Sequence, residues 1–435
     1  MKMERPLTKN IRPGQPPASI QEYEESGGYQ GLRKALRDLT PTAVIEEVKA
    51  SGLRGRGGGG FPTGQKWSLL PPPDRTAHPR YVVVNADEME PGAFKDRILL
   101  EGDPHLMIEG AVLAAYAVQA GVVYIFLRAE YSAAARSISK ALSEALDHHY
   151  LGKRILGSEF HLEVHLHISA GRYICGEETA LLSALEGGRA IPRAKPPYPA
   201  VSGLFAKPTV VNNVETFCNI PGIILNGADW YQALSRTGEG GTKIYGVSGR
   251  VKQPGWWELP MGTPIRELIE EHAQGMQEGY RFRAVIPGGA STEFLTEESL
   301  DTPMDFEHIQ KVGSRLGTGT IIVLDDRTCP IGMVHNLEAF FARESCGWCT
   351  PCREGLPWVT KILHAIESGE GVPENINILK EHTHLLGPGN TFCALAPGAM
   401  EPLASALKLF ESDFHRHIRE RLCPYPKPEW RRAHG

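Results

Sequence analysis

The sequence predicts a multidomain α/β protein in three parts. An α/β domain covers residues 1–240, a small β-grasp-like α+β domain covers 241–328, and a C-terminal four-helix bundle covers 329–435. Helical and strand patterns alternate through the first half, as in a sheet covered by helices. The texture changes near Gly238–Gly241, where short strands and a hairpin crowd together. Beyond Ile331 the strand pattern stops and only helical stretches follow. At about 150 residues per domain, a chain of 435 residues also implies about three domains.

The elements follow in order. Residues 1–30, rich in Pro and Gly, read as a segment wrapped over another surface. Thr42–Ala50 is a short amphipathic helix capped by Thr40 or Thr42. A glycine-rich loop spans Gly52–Gly64, and Tyr81–Asn85 is a buried strand running into the polar turn Asn85–Glu90. Met107–Leu127 is apolar enough to invite a membrane reading, but Glu109 and Gln119 interrupt it and Gly121 splits it. It reads as a buried helix followed by a buried strand. Ser132–His148 is helical, Phe160–Ile168 alternates like a strand, and Thr179–Glu186 is a helix behind the turn at Cys175–Glu178. The second domain reads as a strand, a hairpin at Gln253–Gly255, a strand, a helix over Pro264–His272, and strands at Phe282–Ile286 and Thr320–Leu324. Helices over 331–343, 353–368, 373–386 and 397–421 form the bundle.

A net charge of −5 without any basic stripe argues against a nucleic-acid partner. The absence of a Lys/Arg cluster argues against an electrostatic membrane anchor. The opening run MKMERPLTKNIRPGQPP has no apolar core of a signal peptide, so a cytoplasmic location is expected. In such a chain the 8 cysteines point to metal or redox chemistry, not disulfides.

Cys346, Cys349 and Cys352 form C-x2-C-x2-C on one loop between helices, and Cys393 lies in the loop before the last helix. Four thiolates suit zinc or an iron–sulfur cluster. Three close cysteines and one remote favour [4Fe–4S], whereas structural zinc prefers paired C-x2-C knuckles. Inert buried thiols are the third reading. The immediate fourth cysteine and proline of the ferredoxin run are missing, which implies one embedded cluster.

The loop from Gly52 to Trp67 contains G-x-G-x-x-G at Gly55, Gly57 and Gly60, but a helix precedes it where the dinucleotide fingerprint needs a strand. A P-loop is excluded because Gln65 separates Gly64 from Lys66 and Trp67 replaces the Ser/Thr. The simpler reading is a nest of backbone N–H groups for phosphate, with a flexible surface loop as the alternative. Arg54, Arg56 and Lys66 add charge, and Phe61 and Trp67 offer flat faces. The carboxylates of Asn85–Gly92 sit where ligands meet α/β sheets, at a strand's carboxyl end. They can accept from ribose hydroxyls or a flavin N–H; taken alone, the segment is a solvated turn. His161, Glu163, His165 and His167 share one strand face and look like metal ligands, but they read better as the polar outer face of that strand.

Taken together, GLRGRGGGGFPTGQKW (52–67), NADEMEPG (85–92), GRYICGEETALLSALEG (171–187), KPTVVNNVET (207–216), ESCGWCTPCREG (344–355) and TFCALAPGA (391–399) resemble one family in order along nearly the whole chain. It is the family of the flavin-carrying, NADH-oxidising subunit of bacterial respiratory complex I, the NADH–quinone oxidoreductase. The resemblance implies FMN, one [4Fe–4S] cluster and NADH as substrate, with electrons passed on singly towards quinone. It implies an FMN shell of Gly55, Gly57, Lys66, Asn85, Asp87, Glu88, Tyr173, Gly176, Glu177, Glu178, Val211, Asn212 and Asn213. It places NADH against Phe61, Glu90, Glu178, Lys195 and Tyr198, and the cluster on Cys346, Cys349, Cys352 and Cys393. No general acid or base is implied: Phe61, Glu90 and Glu178 position the hydride. The implied partners are a thioredoxin-like [2Fe–2S] subunit and a large iron–sulfur subunit, on the cytoplasmic side of the inner membrane. The flavin/NAD component of an NAD-linked hydrogenase or formate dehydrogenase is the alternative. A zinc-stabilised nucleotide-binding scaffold is the non-redox alternative.

Overall fold

The computed structural model describes residues 4–72 and 79–426; the outer ends of the first and third predicted domains, 1–3 and 427–435, lie outside the described residues. Its first sheet contains β1 (Tyr81–Ala86), β2 (Val122–Leu127), β3 (Glu163–Ile168) and β4 (Thr209–Asn213), all parallel, in the order β3-β2-β1-β4. Val82, Val83 and Val84 of β1 are fully buried, as a strand covered on both faces requires. The chain steps outward from β1 to β3, then returns to the other flank of β1 as β4. The strand order therefore reverses between β1 and β4, and α/β sheets open a ligand crevice at such a point.

Pro104–Val118 is the expected buried helix. Asp103 caps it, Gln119 ends it in a left-handed conformation at φ 55°, and β2 follows. No helix among the described residues is long and apolar enough to cross a membrane. Glu109, the residue that interrupts the apolar run, is satisfied inside the core. It accepts from Tyr23 Oη at 2.5 Å, the Tyr29 amide at 2.8 Å and the Leu32 amide at 3.0 Å. These donors belong to the N-terminal segment, which wraps over the first core through helices Ile20–Glu25 and Gln30–Asp38. The same segment reaches the second sheet, where the Leu7 and Thr8 amides donate to Glu258 at 3.0 and 2.8 Å.

Strand β4 and the helix Val214–Asn226 behind it carry no periodic signal. The strand is five residues long, and the helix contains Pro221 and is buried on nearly all sides, so no polar stripe marks it. The exposed histidine face of β3 lies on the outside of the sheet, with His167 stacked on Phe126 at 5.2 Å.

The second sheet contains β5 (Thr242–Gly249), β6 (Gly255–Pro260), β7 (Phe282–Ile286) and β8 (Thr320–Asp325) in the order β6-β5-β8-β7. β5 pairs antiparallel with β6 and parallel with β8, and β7 pairs antiparallel with β8. The helix expected over 264–272 is one α turn, Ile265–Glu267, continued as the π-helical segment Leu268–His272.

The C-terminal part is helical throughout: Pro330–Glu344, Thr350–Ser368, Glu374–Leu385, Leu395–Leu409 and Glu411–Glu420. The stretch expected over 397–421 is therefore two helices. Phe410 leaves helical geometry at φ −121°, ψ 27°, and its ring packs edge-on against Phe294 at 5.3 Å. Burying that ring turns the chain, so the last helix crosses the others instead of extending the one before it.

Candidate functional site

A cleft of about 280 Å³ opens at the carboxyl ends of β1 and β4. Asn85, Asp87, Glu88 and Glu90 line it from β1, and Asn213 lines it from β4. Gly57, Gly58 and Gly59 close one side; Tyr173, Gly176 and Glu177 close another. A Cβ on Gly57 would stand 3.0 Å from Asn213 Cβ, so glycine lets the loop backbone approach β4 without displacing that side chain.

Burial pushes the Asp87 carboxyl up to about 7, against the hydrogen bond from Ser169 at 3.1 Å. Its Oδ2 is buried without a hydrogen-bond partner. An orphaned acceptor in a glycine-walled cleft fits the donor groups of a flavin nucleotide. Glu88 is also pushed up to about 7, by burial and then by the neighbouring Asp96. It accepts from the Asp96 amide at 3.1 Å and Tyr131 Oη at 3.0 Å. Glu90 accepts from Tyr173 Oη at 2.8 Å and the Ser291 amide at 2.7 Å, so both its oxygens are engaged by the protein.

Lys66, Glu178 and Lys195 form a chain of ion pairs: Lys66 to Glu178 at 2.7 Å, and Lys195 to Glu178 at 3.3 Å and Glu177 at 2.8 Å. Burial opposes the Glu178 charge, but the two ammonium groups overrule it and hold the carboxyl below its usual range. Lys66 also donates to the Val211 carbonyl at 2.7 Å, and Asn212 accepts from Trp67 at 3.0 Å. Gly55 donates to the Phe61 carbonyl at 2.9 Å. Phe61 and Tyr198 are 49% and 57% exposed, the reverse of core aromatics. Gly55, Lys66, Glu178, Val211, Asn212, Phe61, Lys195 and Tyr198 thus lie outside the cleft lining itself.

Two expectations for the glycine loop are corrected. Arg56 is fully buried and turned away, donating to Tyr231 Oη at 2.9 Å and the Gly240 carbonyl at 3.2 Å. Arg54 binds Glu239 at 2.9 Å. Both arginines fasten the loop to the 239–242 junction, leaving the loop's backbone to face the cleft. Trp67 is a core residue, 1% exposed, and offers no open face.

Sequence reasoning misses Lys95, Ser291, Arg315, Gly317 and Thr318, all of which line the cleft. Lys95 is buried among carboxylates, 2.7 Å from Asp96 and 3.0 Å from Glu215. A lysine opening a helix directly after an acidic strand end is the available signal. Ser291, Gly317 and Thr318 sit in the glycine turns after β7 and before β8, and no local pattern connects those turns with β1.

On the cysteine side, Cys346 and Cys349 lie on the turn between helices Pro330–Glu344 and Thr350–Ser368, whereas Cys352, expected on the same loop, is in the first turn of the second helix; Cys393 precedes Leu395–Leu409. The four thiols are within electrostatic reach of one another. Burial pushes Cys352 up to about 12 against its hydrogen bond with Ser345, with smaller contributions from Cys349, Cys393 and Cys346, and burial pushes Cys393 up to about 11. Four clustered thiols, two of them held back from ionising, are a donor set completed by a cationic iron–sulfur core. Cys393 also lines the cleft, so the cleft and the four-thiol set share a wall.

Residues 48–222 match the model of the Nuo51 FMN-binding domain, 244–295 the SLBB domain, and 332–417 the iron–sulfur binding region of NADH-ubiquinone oxidoreductase-F. The fold and site thus define a flavin- and cluster-bearing oxidoreductase component. The chain is 54% identical over 415 residues to the F subunit of NADH-quinone oxidoreductase of Escherichia coli (strain K12), covering 95% of this chain and 93% of that one. It is 45% identical over 410 residues to the F subunit of Mycobacterium bovis, covering 94% and 92%. It belongs to the family of NADH-quinone oxidoreductase F subunits. The solved NAD+-reducing [NiFe]-hydrogenase superposes with a TM-score of 0.80 at 33% identity, covering 94% of this chain but 67% of the hydrogenase chain. The higher identity and the near-complete mutual coverage favour the respiratory complex over the hydrogenase alternative.

Proposed function

We propose that this chain is the electron-input subunit of a respiratory NADH–quinone oxidoreductase, with FMN in the cleft between β1 and β4 and a [4Fe–4S] cluster on Cys346, Cys349, Cys352 and Cys393. The observation that carries this reading is the shared wall: Cys393 lines the same cleft as Asn85, Asp87 and Glu88. Bound there, FMN supplies the exchange between the hydride pair of NADH and the single electrons that an iron–sulfur cluster takes.

The protein's own work is placement. The backbone at Gly57, with Asn85, Asn213 and Gly176, cradles the flavin nucleotide, and the unpartnered Asp87 Oδ2 faces its donor groups. Lys66 holds Val211 and Glu178 in position, and Glu177, Asn212 and Tyr173 complete the shell. Phe61 is an exposed aromatic platform on which a nicotinamide would stack, and hydride transfer would require it to be held within roughly 3–3.5 Å of the flavin. Glu178, with Glu90 through the remaining lone pairs of its two engaged oxygens, would accept from the adenosine ribose and repel a 2′-phosphate, with Lys195 and Tyr198 at the rim.

The division at 240 and 328 is supported by the two separate sheets and the purely helical remainder. The partners are the thioredoxin-like [2Fe–2S] subunit and the large iron–sulfur subunit, and the complex holds this chain at the cytoplasmic face of the inner membrane. Trp348, 58% exposed, and Phe392, exposed beside it at 6.4 Å, support docking of the large subunit next to the cluster loop.

An anaerobic visible spectrum of the purified protein, taken before and after NADH, tests the reading. Bleaching of a flavin band together with loss of broad brown absorbance is expected. A colourless protein that contains zinc and takes up no flavin on reconstitution would overturn it in favour of a scaffold.

A further inference from the structure

Cys329, His417 and Cys423 converge at the far end of the helical domain from the four-cysteine set. One ligand atom from each lies within 4.8 Å of the other two. Cys329 stands at the start of helix Pro330–Glu344, where its sulfur accepts from the Gly332 amide at 3.3 Å. Cys346 follows the other end of that helix. At 1.5 Å per residue the helix separates the two cysteine groups by roughly 20 Å.

The imidazole is already oriented as a ligand. His417 is fully buried, and its Nδ1 donates to the Asp413 carbonyl at 2.7 Å. A carbonyl can only accept, so in the neutral ring Nε2 carries the lone pair. Nε2 faces the Cys329 sulfur at 3.2 Å. Fixing one ring nitrogen on a backbone carbonyl to aim the other is the usual outer-shell arrangement of a metal-bound histidine. Bonds of about 2.3 Å to sulfur and about 2.0–2.1 Å to nitrogen put those two atoms about 3.5 Å apart around tetrahedral zinc. The observed spacing needs little adjustment. Cys423 is held by the next part of the chain: Tyr425 hydrogen-bonds Asp413 and Arg283, and its ring stacks on His417 at 6.1 Å.

We propose that Cys329, His417 and Cys423 bind one zinc ion that is separate from the electron-transfer centres and ties the end of the chain to the first helix of the bundle. Two thiolates and one imidazole are the donor set that zinc prefers. The fourth position falls to water, because both cysteines are partly exposed. Binding releases the two thiol protons and involves no change of oxidation state. The ion bridges residues 88 apart in sequence, from Cys329 to His417, so it closes the bundle into a ring.

The test is metal analysis of the flavin- and cluster-loaded protein, purified in its complex and incubated with zinc under reducing conditions. One zinc per chain is expected beside the iron of the complex, about four atoms of which belong to this chain's cluster. The zinc X-ray absorption edge should fit two sulfurs near 2.3 Å and one nitrogen near 2.0–2.1 Å. Cys423→Ser and His417→Gln should each lower zinc at least tenfold while iron and flavin stay constant. Should either variant fail to assemble, the absorption fit on the unaltered protein decides alone. A zinc-free protein, a Cys329–Cys423 disulfide in its mass spectrum, or zinc retained by both variants would overturn the proposal.

Discussion

Single residues in this protein carry charges whose environments set their roles. Glu178 lies between Lys66 and Lys195. Glu178→Gln would remove the repulsion of a 2′-phosphate and leave two ammonium groups to attract one. The NADPH-to-NADH ratio of kcat/KM should rise by about tenfold, equivalent to about 1.4 kcal/mol. Unchanged discrimination in steady-state assays would remove Glu178 from the nucleotide site. Glu338 is the opposite case: it is fully buried, neither carboxyl oxygen has a hydrogen-bond partner, and burial pushes its pKa well above the ordinary value. A carboxyl protonated when folded and ionised when unfolded costs stability as pH rises above the unfolded value near 4.5, by about 1.4 kcal/mol per unit. Its favourable contribution is full below that value and is lost towards the folded pKa. Glu338→Gln should therefore flatten the decline of Tm between pH 5 and 8 and leave the variant the more stable form at pH 8. An unchanged slope by calorimetry would place the ionised form in the fold.

At the scale of elements, one carboxylate joins the two sheets. Glu215, in the first turn of helix Val214–Asn226, binds Lys95 at 3.0 Å, Lys243 on β5 at 3.1 Å and the Ile244 amide at 2.9 Å. Burial alone would raise its pKa, but Lys243, Lys95 and Arg56 overrule it and hold the carboxyl at about 2. Lys243 is pushed down to about 8 by burial, against the pull of Glu215. Because the folded value is depressed, Glu215 contributes its stability above the unfolded value near 4.5. That stability is lost as pH falls towards about 2. Glu215→Gln leaves buried cations uncompensated and should cost about 3–5 kcal/mol at neutral pH. Its acid-unfolding transition should also lose the wild-type dependence between pH 4.5 and 2. Denaturant titrations at pH 7 and pH 3 check both; equal loss at the two values would argue against an electrostatic joint.

At the scale of the molecule, the proposed function depends on the cleft and the four-cysteine turn meeting between the α/β and helical parts. The Tyr173 amide donates to Glu344 at 3.0 Å, and Arg172 pairs with Glu344 at 3.4 Å, so the cleft turn is fastened to the residue two before Cys346. Cys349→Ala should abolish the cluster's paramagnetic signal after NADH while NADH still bleaches the flavin band. Loss of both together would mean that the cluster is needed to hold the flavin domain. The parts of this arrangement differ in legibility. The helix Pro104–Val118, strand β1 and the C-x2-C-x2-C loop are readable because burial, alternation and thiolate spacing are local patterns. Strand β4, with Val211, Asn212 and Asn213, is reached only through motif resemblance, since five residues around Asn and Val carry too little periodicity. Lys95 and the Ser291 and Gly317 turns escape because their neighbours lie in other elements. Arg54 and Arg56 mislead because a guanidinium near glycines has the same local appearance whether it faces a ligand or a domain junction.

The sequence by itself determined the family, the cofactor classes and the order of the three parts, and it singled out four cysteines as candidates for the cluster, because each is a matter of residue type and spacing along the chain. Only the tertiary structure decided which flank of β1 receives β4, which carboxylates keep a free oxygen, and which cysteine walls the cleft. It also decided that Cys329, His417 and Cys423 meet. The physical reason is the same throughout: burial and charge compensation depend on groups that the chain brings together from distant positions, and no local pattern encodes that proximity.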